Sequence, residues 1–345
     1  MIYELDQELD YESFSLDIVV QKMAKESILH TSKIYPIYVF CKYHAGKELT
    51  ENQILFLDAL SEFADKYDID ITLVYNEQDN KAYYEYNKEN EFKLKLLQHS
   101  CYDSNVDLSN NRSKIKNFIM RTAFSRFGNK NLDWFYLIDE GVRFKRISNI
   151  KNDTNVMTDC LSADNLLIFF SMWQYCSTKM TRTIFKDENQ IGLTGLSTTT
   201  NLERFSIDRD IIKHALLINA AECNRRHIEF EQMIDLEETT DFNISVLSNG
   251  LHLVMLTYPI FIEPMIEETW SQKKQNNMNL NLWAKWGDKV VQQFKVEDGC
   301  IKPILVNDFA NIIIEYNTSN KHRIAWPKNE QMYAEYLSQK KKILN

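Results

Sequence analysis

Between residues 34 and 138, short apolar runs alternate with longer segments whose apolar residues recur every three to four positions. No other feature restricts the fold as much: a brief continuous apolar run reads as a buried strand, and a 3.6-residue recurrence as a helix packed on it. IYPIYVFC (34–41), IDITLVY (69–75) and LDWFYLI (132–138) are the strand-like runs. TENQILFLDALSEFADK (50–66) lies between the first two, with Thr50 as N-cap candidate and apolar residues at 54, 57, 60, 63 and 64 on one face. A polar helix-like stretch from Ala82 to Gln98 and an amphipathic one over 111–127 precede the third run. This order predicts an α/β fold with a mostly parallel, Rossmann-like central sheet flanked by helices, and ligands at the carboxyl ends of its strands.

Downstream, LLIFFSMW (166–173) reads as a further strand, 191–200 as a Gly/Thr-rich loop and 208–222 as a helix. Strand-like stretches over 251–262 and 301–316 flank a helical segment, 276–294. No repeat or long linker divides the chain. The expected organisation is an acidic N-terminal segment (1–30), a catalytic domain (31–295) and a C-terminal extension with a basic tail (296–345).

Six cysteines without a CxxC pair support neither a zinc site nor a disulfide framework. Reduced thiols and a cytoplasmic location are expected. Residues 1–17 hold six acids and no base, unlike a signal peptide, and the most apolar stretch, Leu251 to Ile262, is too short to span a bilayer. No membrane partner is expected. The net charge of −9 argues against nucleic acid, yet its distribution is uneven. Arg112, Lys114, Lys116, Arg121, Arg126 and Lys130 form a run with no acid between them, and the stretch from Lys321 to Lys342 is also basic. Such clusters are either solvated helix faces or surfaces for a phosphate-bearing ligand.

Three local features bear on chemistry. Asp139-Glu140 ends an apolar strand, where acids either simply terminate the strand or hold a divalent cation against a diphosphate. Arg112 opens a helix, where a guanidinium and free amides attract phosphate. Glu237, Glu238 and Asp241 precede a helix-like segment, as dipole-complementing caps or as a general base.

In order and spacing these features resemble glycosyltransferases of the GT-A fold over roughly residues 34–290. IYVFCKYHAG is similar to the family's opening nucleotide-binding strand and loop, and TLVYNEQDNKAYYEY to its second strand. NNRSKIKNFIMRTAF resembles the helix before the acidic motif, YLIDEGVRF the DxD-type signature, Gly192 to Thr200 the donor-side loop, and EETTDF with SNG the acceptor motif. Within the family the layout looks most like phage DNA-base glycosyltransferases, which modify hydroxymethylated pyrimidines. The resemblance implies a nucleotide-sugar donor, such as a UDP-sugar, with the nucleotide near Lys42, Tyr43 and Glu77. It implies Arg112 at the diphosphate, and Asp139 and Glu140 as ligands of Mn or Mg. It implies a base drawn from Glu238, Glu237 and Asp241, with Glu238 preferred. The acceptor it implies is double-stranded DNA with modified bases. The alternatives are transfer to surface glycan or lipopolysaccharide, and non-catalytic nucleotide binding. One position departs from the pattern: the last acid of the signature is replaced by Gly141, which puts the metal in doubt. The acid pair is expected at a surface cleft, where losing Asp139 spares the fold.

Overall fold

The computed structural model describes residues 24–31, 33–41, 48–99, 112–127, 134–151, 154–180, 190–198, 205–208, 210–231, 238–257, 259–264, 280–286, 291–297 and 300–305. In chain order the elements are α1 (24–30), β1 (Ile37–Phe40), α2 (Glu51–Tyr67), β2 (Ile71–Asn76), a 3-10 turn (Glu77–Asp79), α3 (Asn80–Glu89) and β3 (Lys95–His99). α4 (Arg112–Phe127), β4 (Trp134–Asp139), β5 (Val142–Lys151), β6 (Thr154–Asp159), α5 (Ala163–Met180), β7 (Ile191–Leu196) and β8 (Phe205–Ile207) follow. The last are β9 (Ala215–Asn219), α6 (Ala220–Arg225), α7 (Glu238–Ser248), β10 (His252–Leu256), β11 (Ile260–Pro264), α8 (280–286), β12 (Val291–Glu297) and β13 (Cys300–Leu305).

Eight strands form the central sheet in the order β3-β2-β1-β4-β9-β7-β10-β8. Neighbours from β3 to β4 run parallel, as do β7 and β10, while β9 is antiparallel to β4 and β7. The fold is therefore α/β with a mainly parallel sheet flanked by helices, as the alternation predicts. Both faces are covered. Ile37 and Val39 of β1, with Trp134, Tyr136 and Ile138 of β4, pack in one core with residues of α2, α3 and α5. Their neighbours Tyr38, Phe40, Phe135 and Leu137 pack in the other, with residues of α4, α6, α7 and α8. Strands buried on both faces read as continuous apolar runs, which is why these were legible.

Thr50 caps α2 in a reciprocal capping box with Gln53, as its sequence signature predicts. Five other expectations need correction. The helix-like stretch from Ala82 to Gln98 is helical only as far as Glu89, at the end of α3, and from Lys95 onward it is strand β3. LLIFFSMW lies inside α5, not in a strand; its residues are buried so completely that the run lost its helical periodicity. Residues 191–196 are the central strand β7, not a loop. Gly195 is there because a Cβ would sit 1.9 Å from Ile212 Cγ2 and 2.9 Å from the Ala215 carbonyl oxygen. The stretch 208–222 is split between β9 and α6. Of the helical segment 276–294, residues 280–286 are helical and 291–294 begin β12. The two halves of 251–262 enter different sheets, β10 the central one and β11 a three-stranded sheet with β5 and β6.

Candidate active site

From β1 the chain moves outward to β2 and β3, then returns to place β4 on the other side of β1. The crevice beyond the carboxyl ends of β1 and β4 is thus a topological switch point, the position where open α/β sheets bind ligands. Asp139 is the last residue of β4, and Glu140 follows it beside the end of β1, its amide donating to the Phe40 carbonyl at 2.9 Å.

Asp139 shares the sheet face of Phe135 and Leu137, under α4 and α7, because strand residues alternate in direction. There Lys116 reaches its Oδ1 at 3.1 Å, while Arg112 Nη2 and His214 Nδ1 lie 3.4 Å and 3.2 Å from Oδ2. Glu238, first residue of α7, meets the same two cations through Oε1: Arg112 Nε at 2.9 Å and Lys116 Nζ at 3.1 Å. Arg112 and Lys116 stand one turn apart on α4 and so share a face. Both cations lie over the Phe40 ring at 5.4 Å, and Lys116 is also 5.7 Å from the Phe230 ring. Asn117 fixes α4 by exchanging two 2.8 Å hydrogen bonds with the backbone of Phe230.

These contacts set the charge states. Burial alone would raise Asp139, but Lys116, the His214 hydrogen bond and Arg112 outweigh it and hold the carboxyl well below its usual range. Burial likewise opposes ionisation of Glu238, and Arg112 and Lys116 again prevail, lowering it. The result is two buried carboxylates neutralised by two cations. His214 is the more open member, its side chain 31% exposed against 15% for Arg112 and 1% for Lys116. Its backbone is held at φ 65°, a strained conformation for a residue with a Cβ. The preceding loop is pinned by Asn243 of α7, which pairs with both the amide and the carbonyl of Ile212.

The remaining expected residues are distributed as follows. Glu140 accepts from the Tyr83 hydroxyl of α3 at 2.7 Å, on the other side of the sheet from Lys116. Glu77 opens the 3-10 turn at the carboxyl end of β2 and is exposed. Asp241 is fully buried and committed to α8: Lys285 donates to Oδ2 at 2.8 Å and Trp286 Nε1 to Oδ1 at 2.7 Å, which joins α7 to α8. Burial raises it, and Lys285 and Trp286 only partly offset that. Lys42, Tyr43 and Glu237 lie outside the described residues. Three polar residues escaped the sequence reading. Lys116 was visible only as one of a basic run, and His214 had no motif around it. His99 ends β3 buried, with neither ring nitrogen hydrogen-bonded, and burial lowers it to about 4.

The described residues do not fit a divalent cation. Consecutive acids at a strand end diverge to opposite faces, so Asp139 and Glu140 are not a chelating pair. The residue that would share Asp139's face is Gly141, at φ 79° in the turn to β5. A divalent ion about 5 Å from each of Lys116 and Arg112 would meet repulsion of about 7 kcal/mol per cation at an effective dielectric of about 20. Among the described residues no group of three or more His, Cys, Asp or Glu side chains is placed to hold a metal ion.

No protein-family model matches the chain. A search of curated proteins found no match either. Among solved structures, S. aureus TarS 1–349 in complex with UDP is similar at a TM-score of 0.41 and 11% identity; the match covers 72% of this chain and 64% of that one. The same protein in complex with UDP-GlcNAc matches at a TM-score of 0.42 and 9% identity, with the same coverage. A mannosyltransferase from Pyrobaculum calidifontis, in complex with GDP-Man and Mn2+, matches at a TM-score of 0.39 and 8% identity over 77% of this chain and 69% of that one. The chain thus spans just under two thirds of the TarS 1–349 chains in both complexes. Likenesses this distant carry no assignment of activity. No helix among the described residues is long and apolar enough to cross a membrane.

Proposed function

We propose that this protein is a glycosyltransferase that moves a sugar from a nucleotide-sugar donor, such as a UDP-sugar, to a hydroxyl acceptor. The observation that carries the reading is the Arg112–Lys116–Asp139–Glu238 cluster at the switch point between β1 and β4. A diphosphate leaving group needs positive charge beside it as the donor bond breaks, and Arg112, at the rim of the cluster, supplies a planar set of donors for it. The nucleoside is proposed to extend from there across β1 and β2, past Glu77; Lys42 and Tyr43 stay proposed as nucleotide-binding residues. His99, two strands from β1 and so roughly 10 Å away, is the unpaired polar group at its base end.

Glu238 is the proposed base. Its contacts all fall on Oε1, from Arg112, Lys116 and Thr239, and the lowered pKa keeps it ionised. Oε2 then takes the acceptor proton, while Arg112 and Lys116 hold the carboxylate in place. The proposed acceptor is a hydroxymethylated base in duplex DNA. The surface charge for it is smaller than the sequence suggests: Lys116 is buried, Arg112 faces the cluster, and Arg121 is paired with Glu229 at 3.3 Å. Lys114, Arg126, Lys130 and the basic tail are the cations proposed for the backbone.

Incubation with UDP-sugars in the presence of hydroxymethylated duplex, unmodified duplex or a simple glycan tests this directly. Nucleotide release with sugar transferred to modified duplex is the expected result. Transfer to glycan alone moves the acceptor to the surface-glycan class. Failure to bind or turn over any nucleotide sugar overturns the reading.

A further inference from the structure

We infer that Lys116 is a built-in counter-ion standing where a divalent cation would otherwise be needed, so that a nucleoside diphosphate binds this site without added metal. The nature of the ligand rests on the glycosyltransferase reading; the role of Lys116 rests on geometry. Its ammonium lies between carboxylates from two elements, 3.1 Å from Asp139 Oδ1 of β4 and 3.1 Å from Glu238 Oε1 of α7. Lys116 also donates to Thr239 Oγ1 at 3.3 Å. The rings of Phe40 and Phe230 lie against it and the side chain is 1% exposed. One cation joining acids from two elements does structurally what a bound metal does, and it leaves no coordination position for water or phosphate. It also removes the reason for a metal. Asp139 and Glu238 unneutralised would repel a diphosphate, whereas with Lys116 and Arg112 the cluster is balanced, and Arg112 at the rim is the group the phosphates meet. Glu140 accepts from Tyr83.

The test uses the full chain. UDP binding is measured by calorimetry in EDTA and again with millimolar MnCl2, and Mn2+ binding alone is measured by electron paramagnetic resonance. The expected result is a UDP Kd that agrees within twofold between the two conditions and no stoichiometric Mn2+ uptake. Lys116→Met keeps the bulk of the side chain and removes its charge, so this variant should acquire Mn2+ binding and a UDP affinity at least tenfold stronger with Mn2+ than in EDTA. A wild-type UDP affinity that rises tenfold or more with Mn2+ overturns the inference whether or not the variant folds. If UDP fails to bind in either condition, the glycosyltransferase reading falls, and the resonance titration still decides the rest. Stoichiometric Mn2+ uptake by wild type, lost in Asp139→Asn, refutes the built-in counter-ion, and no uptake supports it.

Discussion

Asp139 and Glu238 share the same two cations, but their expected responses to mutation differ. Asp139→Ala leaves Lys116 buried with one carboxylate fewer, and breaking a buried pair costs about 3–5 kcal/mol. The variant should therefore show a large drop in denaturation midpoint together with lost transfer, contrary to the expectation that the fold is spared. An unchanged midpoint would mean that Lys116 relaxes to water. Glu238→Gln keeps the shape and can still accept from Lys116 and Arg112 through its amide oxygen, but it cannot take a proton. Transfer should fall by 10²-fold or more with UDP-sugar affinity within a few-fold of wild type, read as a kcat loss without a matching change in Kd. Parallel loss of both would assign Glu238 a purely structural role.

At the scale of elements, α7 organises the site. Its first residue carries Glu238, Asn243 pins the loop bearing His214, and Asp241 anchors α8. Asp241→Ala leaves Lys285 and Trp286 Nε1 without their buried acceptor, so a loss of about 3 kcal/mol or more is expected in denaturant titration. Equal stability would show that α8 is not held through this residue. Gly195 tests the other side of the loop. Gly195→Ala drives a methyl into Ile212 and the Ala215 carbonyl, with an expected cost of about 1–3 kcal/mol. Because Ile212 leads to His214, catalytic loss beyond the stability change is also expected; a silent substitution would mean the loop is free to move aside.

For the molecule as a whole, the buried acids set the response to pH. The folded-state pKa values of Asp139 and Glu238 lie below their unfolded values, so the unfolded chain takes up protons first as pH falls. Their stabilising contribution is complete above about pH 5 and disappears as pH drops below about 4 toward the folded values. Stability measured by denaturant at pH 7 and about pH 2.5 should fall more in wild type than in Asp139→Asn. An identical pH dependence in the two proteins would remove Asp139 from the acid response. DNA binding should draw on the basic tail: neutralising Lys340 to Lys342 should flatten the salt dependence of affinity for hydroxymethylated duplex without affecting UDP binding.

Sequence alone determined the buried strands β1, β2 and β4, the capped helix α2, the mainly parallel character of the sheet and the prominence of Arg112, Asp139 and Glu238. Each of these is written in local periodicity or at the end of an element, where nearest-neighbour chemistry controls the outcome. Tertiary structure decided the rest. α5 and β7 were misread because complete burial erases the periodic contrast between helix, strand and loop. Lys116, spaced like any solvated lysine, became the centre of the site because Asp139 of β4 and Glu238 of α7, far apart in sequence, converge on it. Asp139 and Glu140, adjacent in sequence, were separated by the pleat, which sends one side chain to α4 and the other to α3. Charge partners are chosen by three-dimensional distance, and a linear pattern does not encode it.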